Sequence, residues 1–167
     1  MIRILFVCLG NICRSPTAEG IVRARLQTAG LADVVALESC GTGRWHVGES
    51  PDPRAQAEAR ARGIDIASLR ARQLRIDDFQ TFDYLLAMDA DNLAHMQRMA
   101  PAGCQAHLGL LLDFAGTPGR SVPDPYYGAG DGFANVFALI EQAADGLIES
   151  CRQRLEAQRS EPGDGAR

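Results

Sequence analysis

A cysteine, five residues, an arginine and a serine stand together in Cys8-Leu9-Gly10-Asn11-Ile12-Cys13-Arg14-Ser15, a combination suited to anion chemistry. Gly10 and Asn11 are residue types that accept left-handed backbone, so the amides of the loop can turn inward as an anion-binding nest. Five intervening residues suffice to wrap one tetrahedral anion. Arg14 offers a planar fork that can hold two oxygens bidentately. A helix start and a guanidinium both favour the thiolate form of a nearby cysteine, so Cys8 is a candidate nucleophile and Ser15 a hydrogen-bond donor to it. The plain alternative is that Cys8 is a small core residue at a strand end, because such a spacing arises by chance in a chain with five cysteines and many arginines. The glycine, the asparagine and the position of the loop before a helix favour chemistry.

A second group lies far downstream, at Pro123-Asp124-Pro125-Tyr126-Tyr127. The prolines restrict the backbone on both sides of Asp124, which can then serve as a positioned proton donor rather than an ordinary Asp-Pro turn. Tyr126, Tyr127 and Trp45 can wall a slot for an aryl group, although Trp45 could equally be a loop residue packed on the core. His46 reads as a loop or rim residue, while His95 and His107 read as structural or exposed. Cys40 and Cys104 read as small core residues, and the Arg60/Arg62 and Arg70/Arg72 pairs as solvated faces rather than docking sites.

Strands and helices alternate around these groups. Ile2 to Cys8 is a continuous apolar strand. Ser15-Pro16 then opens an amphipathic helix, with Ser15 as N-cap, that reaches Ala29 and stops at Gly30. Val34 to Ser39 is a second strand, and Asp52-Pro53 begins an Ala/Arg-rich helix that ends at Gly63. Tyr84 to Met88 is a third strand, followed by a helix from about Asp91 to Met99, and Ala106 to Leu112 is a fourth, whose leucine run could equally be helical. A Gly/Pro-rich loop spans Phe114 to Gly130, and a last helix runs from Asp131 to about Leu155. The alternation predicts an α/β domain with a parallel sheet covered on both faces. One domain is expected over residues 1–157, with a flexible tail at 158–167.

The 167 residues carry a net charge of -4, with no basic face that would suit nucleic acid or an anionic membrane. No apolar run approaches a membrane span, and the short one at Ile4 to Leu9 lacks the length and cleavage site of a signal peptide. The five cysteines, Cys8, Cys13, Cys40, Cys104 and Cys151, form no CxxC pair, which points to a reducing compartment, the cytoplasm, and away from a zinc site.

The stretch VCLGNICRSPTAEG closely resembles the signature of the low-molecular-weight protein tyrosine phosphatases, and DPYYG at Asp124 to Gly128 resembles that family's general-acid loop. Asp52-Pro53-Arg54, Ala71-Arg72-Gln73 and Phe82-Asp83-Tyr84 extend the resemblance from Ile2 to roughly Leu155. The resemblance implies a four-stranded parallel sheet flanked by helices and cofactor-free, metal-free hydrolysis of phosphotyrosine through a phosphocysteine. It also implies that Cys8 is the nucleophile, Arg14 the phosphate binder, Ser15 the thiolate partner, Asn11 the loop brace and Asp124 the acid. Leu9, Gly10, Ile12 and Cys13 complete the phosphate loop. Two positions depart from the common pattern: Leu69 stands where several members carry a histidine that supports Asn11, and Trp45, at a variable specificity position, resembles bacterial members. The partners implied are phosphotyrosine proteins, with a bacterial tyrosine kinase as one candidate. A loop wrapped around one anion brings the Cys8 and Cys13 Cα atoms within about 7 Å; the family points the same way, making Cys13 a candidate resolving cysteine under oxidation.

Three other functions compete. An arsenate reductase of the same fold would need a downstream cysteine pair, and Cys104 and Cys151 are far apart in sequence. A protein-arginine phosphatase of the family tends to carry Thr where this chain has Ile12, and a smaller residue at Tyr126. A non-catalytic phosphotyrosine-binding module would be expected to lack Cys8 or Asp124.

Overall fold

Strand β1 spans Ile2–Cys8, the bounds its apolar run predicts. Its side chains alternate between two cores, with Ile2, Ile4 and Phe6 on one side and Leu5 and Val7 on the other, all at most 1% exposed. A strand apolar on both faces belongs in the middle of a parallel sheet. β1 pairs in parallel with β2 (Val35–Gly41) on one side and β3 (Tyr84–Ala87) on the other, and β4 (His107–Leu110) adds beyond β3. The order is β2-β1-β3-β4. The structure, a computed structural model, describes residues 1–128 and 131–161.

On one side of the sheet the Phe6 core takes in α1 (Arg14–Ala29), α2 (Pro53–Ala61) and α5 (Gly132–Ser160). On the other, the Leu5 and Val7 core is closed by Phe79 of α3 (Asp78–Thr81) and Met96 of α4 (Ala90–Met99). Truncating one of these buried side chains to alanine costs on the order of 2–5 kcal/mol. The four-stranded parallel α/β fold is therefore the one expected. Because β2 and β3 flank β1, the sheet order reverses at β1, and the crevice beyond its carboxyl end is where such sheets bind ligands.

Several local expectations change. Helix α1 begins at Arg14, with Cys13 as an N-cap residue that makes no side-chain capping bond, so Ser15 lies inside the first turn rather than capping it. The Ser-Pro pair imitates a cap and first helical residue, but the loop before it closes two residues earlier. The first half of α1 is also not amphipathic: every residue from Arg14 to Val22 is buried. β2 extends to Gly41 because Cys40 and Gly41 still find partners in Val7 and Cys8.

The fourth strand is shorter than predicted. β3 offers its last pairing position at Ala87, opposite Leu110, and the chain then turns into a 3₁₀ segment, Leu111–Ala115. The single turn α3 has no counterpart in the sequence reading. Helix α5 continues to Ser160, past the domain boundary expected at 157, through a run of good helix formers in which Arg154 reaches back to Asp83. Of the expected tail, residues 162–167 lie outside the described residues, as do residues 129–130 of the Gly/Pro-rich loop. Among the described residues no helix is long and apolar enough to cross a membrane.

Candidate active site

The segment Leu9 to Cys13 joins the carboxyl end of β1 to the start of α1 and folds around the Cys8 sulfur. Cys8 is 3% exposed, and its Sγ lies 3.0 Å from Ser15 Oγ and 3.2 Å from the Asn11 amide that donates to it. The Ser15 hydroxyl can turn its proton to this sulfur or to the Cys40 carbonyl, 3.3 Å away. The N-cap residue Cys13 makes no side-chain capping bond, which leaves first-turn amides of α1 available to an anion.

Of the two residues expected in left-handed backbone, only Asn11 adopts it, with φ 58°. Gly10 serves a different need: a Cβ there would lie 3.0 Å from the His46 ring. The strain at Asn11 is held by its own side chain. Asn11 Nδ2 donates to Ser15 Oγ at 2.7 Å and to Ser39 Oγ at 3.0 Å, and Oδ1 accepts the Arg72 amide at 3.0 Å. The bracing that Leu69 cannot supply thus comes from Ser39 on β2 and from the backbone at Arg72; Leu69 packs on the core. Arg72 is no solvated side chain, since its guanidinium forks onto buried Asp78 at 3.0 and 3.1 Å.

Arg14 is 2% exposed. One nitrogen donates to Asp89 Oδ2 at 2.5 Å and to the Val122 carbonyl at 3.0 Å, and the other lies 3.7 Å from Asp124 Oδ2. Burial works against its charge, but Cys8, Asp89 and Asp124 outweigh it and raise an already high pKa. Asp89 was not singled out from the sequence. It caps α4 through Oδ1 while Oδ2 aims Arg14, and its only signal was an aspartate directly after the β3 apolar run, at the sheet end that carries Cys8.

Above the loop opens a cleft of about 360 Å³. Leu9, Gly10, Ile12 and Cys13 form its floor beside Cys8 and Arg14, Asp124 stands at one side, and Trp45, His46, Tyr126 and Tyr127 form the walls. All the residues singled out for phosphate or aryl binding therefore border this cleft, except Asn11 and Ser15, which lie behind it as braces. Trp45 packs across Gly43, where a Cβ would be only 1.8 Å from the ring, and Tyr126 and Tyr127 meet edge to face at 4.8 Å. His46 joins the wall with Nδ1 2.6 Å from Glu49. Cys104 and Cys151 belong to opposite cores, so they form no pair near Cys8. Among the described residues no group of three or more His, Cys, Asp or Glu could hold a metal ion.

A buried sulfur, a guanidinium held by Asp89 and a nearby carboxylate thus border one cleft, an arrangement with the shape and donors to hold a phosphate ester. Residues 3–160 match the family described as low molecular weight phosphotyrosine protein phosphatase, and the chain belongs to that family. It is 45% identical over 152 residues to the low molecular weight phosphotyrosine protein phosphatase of Schizosaccharomyces pombe, covering 89% of this chain and 96% of that one. Its fold matches the crystal structure of a protein tyrosine phosphatase from Entamoeba histolytica with a TM-score of 0.87 and 36% identity, over 92% of this chain and 98% of the other. It also matches DARP, a Drosophila arginine phosphatase, with a TM-score of 0.84 and 30% identity, over 90% and 98% of the two chains.

Gly41 shows how closely the scaffold touches the site. A Cβ there would lie 2.6 Å from the Leu9 carbonyl oxygen and 3.2 Å from the Asn11 nitrogen, both backbone atoms that cannot swing aside. Gly41→Ala is expected to push the phosphate loop off β2 and lower kcat by about 10- to 100-fold, the effect of a small misplacement of reacting groups. Steady-state kinetics and the orthophosphate inhibition constant should both report it, and wild-type values for both would show that the loop yields freely.

Proposed function

We propose that this chain hydrolyses phosphotyrosine in proteins by two in-line displacements at phosphorus. The Cys8 thiolate attacks, the tyrosine oxygen leaves with a proton from Asp124, and a phosphocysteine remains. Water then gives a proton to Asp124 and attacks the same phosphorus, releasing phosphate and the thiolate, which Ser15 and the Asn11 amide receive. Loop amides and Arg14 hold the equatorial oxygens throughout. The observation that carries this reading is the convergence of Cys8, Arg14 and Asp124 on one cleft, with Arg14 Nη2 3.7 Å from Asp124.

The depth of Cys8 beneath aromatic walls favours a long, flat phosphoester over phosphoserine. Ile12 on the floor and Tyr126 in the wall support tyrosine rather than phosphoarginine as the substrate. A panel of phosphotyrosine, phosphoserine and phosphoarginine peptides tests the choice, and preferential release from phosphoarginine would overturn it. Asp124→Ala should slow aryl phosphate cleavage about 10²–10⁴-fold with little change in phosphate affinity. The loss should be greater for phenyl phosphate than for 4-nitrophenyl phosphate, whose leaving group needs little protonation. Equal losses for the two would remove Asp124 from the acid role.

The natural partners on this reading are phosphotyrosine proteins, including a bacterial tyrosine kinase, and all five cysteines are free, as a cytoplasmic setting would keep them. Cys13 supports a redox extension of the reading. It is 6% exposed beside the cradle, and burial, followed by the charges of Asp52 and Cys8, pushes its thiol up to about 12. On this reading peroxide oxidises Cys8 to the sulfenic acid, and Cys13 closes a disulfide on it with loss of water. Because Cys13 is protonated at neutral pH, closure should accelerate as pH rises towards its pKa. Cys13→Ser should retain catalysis and lose most of its thiol-dependent recovery after peroxide. Full recovery, with no Cys8–Cys13 disulfide in peptide maps of the oxidised parent, would leave Cys13 as packing only.

A further inference from the structure

We infer that Arg54 is a positioning residue that ties the acid loop to the phosphate loop through the start of α2. Asp52, which caps α2, is 8% exposed, and its amide donates to the Ile12 carbonyl of the phosphate loop at 2.8 Å. The Asp52 carboxylate is gripped by a fork from Arg54, with Nε 3.0 Å from Oδ1 and Nη2 2.8 Å from Oδ2. The third nitrogen of the same guanidinium donates to the Tyr126 carbonyl at 3.3 Å. Its Cζ lies 5.5 Å from the Tyr126 ring centroid and 4.7 Å from that of Phe133, in the first turn of α5. Tyr126 in turn donates its amide to Asp124 Oδ1 at 3.1 Å.

These contacts form one line: Ile12, Asp52, Arg54, Tyr126, Asp124. Only a guanidinium can fork onto a carboxylate, donate to a carbonyl and lie against two rings at once. Arg54 makes no approach to Cys8 or Arg14; it acts on the carboxyl group two residues from the carbonyl it holds. The hydrogen bonds with Arg54 also keep Asp52 ionised below the usual carboxylate range, so the tie persists through the acidic pH values at which a carboxylic acid donor works.

The inference rests on Asp124 as the proton donor, and the test separates the two. Arg54→Ala should lower kcat on phenyl phosphate about 10- to 100-fold, as a displaced catalytic group does. The loss on 4-nitrophenyl phosphate should be no more than about a tenth of that, and orthophosphate inhibition should stay within about twofold. Arg54→Lys, which keeps the charge and loses the fork, should rescue little. Adding Arg54→Ala to Asp124→Ala should cost almost nothing more, since the group being positioned is already gone. Equal losses on both leaving groups, full rescue by lysine, or an undiminished loss in the Asp124→Ala background would each overturn the inference. Should Arg54→Ala fail to fold, Asp52→Asn keeps a capping residue and breaks the charged fork, and the same comparisons decide. If Asp124→Ala itself showed no leaving-group dependence, the acid assignment would fail instead.

Discussion

Cys8→Ser is expected to lower turnover by a factor on the order of 10⁴–10⁶, the scale seen when a covalent nucleophile is removed from an otherwise intact site. A serine hydroxyl fits the space of the thiol, and the two groups that face the sulfur, Ser15 Oγ at 3.0 Å and the Asn11 amide at 3.2 Å, can hydrogen-bond to oxygen as well. The cradle should therefore keep its shape and its affinity for orthophosphate within a few fold. What the proposed mechanism loses is its nucleophile: a hydroxyl is far less acidic than a thiol, and among the described residues the hydrogen-bond partners of Cys8, Ser15 and the Asn11 amide, include no base to take its proton. The parent, quenched in acid during turnover, should yield a phosphorylated peptide containing Cys8, and the variant should not. Residual activity above about a hundredth of the parent's, or a parent that never carries phosphate on Cys8, would remove the covalent step.

Much of this site could be read from the chain because its central parts are local. β1 is apolar on both faces and ends where the Cys8 loop begins, and a loop between strand and helix can be recognised from a short window of residue types. The errors fall where local signals have two meanings. Ser15-Pro16 has the form of a capped helix start, yet an anion cradle needs an uncapped one, so Ser15 moved into the first turn to face Cys8. Gly10, expected in left-handed backbone, does not adopt it; a Cβ there would crowd the His46 ring at 3.0 Å. The residues that stayed hidden act across the fold. Asp89, Ser39 and Gly41 are ordinary residue types whose importance exists only once β2, β1 and β3 lie side by side in that order. The Asp52-Pro53-Arg54 motif was visible, but its hold on Tyr126 depends on a loop more than seventy residues away meeting the start of α2.

Arg14→Ala is expected to reduce kcat about 10³–10⁵-fold, the range found when an arginine that stabilises a transferring phosphoryl group is removed, and to weaken orthophosphate binding as well. The loss has two sources that a second pair of variants can separate. One is the proposed phosphate clamp, the part of the guanidinium that borders the cleft, which a lysine point charge would reproduce only in part. The other is the anchor, since removing the guanidinium leaves Asp89 and the Val122 carbonyl without their partner. Asp89 keeps its cap on α4 and is a quarter exposed, so the destabilisation should stay near 1–3 kcal/mol, below that of a fully buried charge left unpaired. Arg14→Lys should restore most of the stability and little of the rate. Asp89→Asn keeps the helix cap and a hydrogen-bond acceptor but loses the ion pair, so it should cost far less than Arg14→Ala while raising KM and lowering kcat together, as a guanidinium less firmly aimed would. Denaturant midpoints and steady-state constants for the three variants, measured side by side, decide the matter. Were Arg14→Lys to recover the rate as well as the stability, positive charge alone would account for the effect and the bidentate geometry would not.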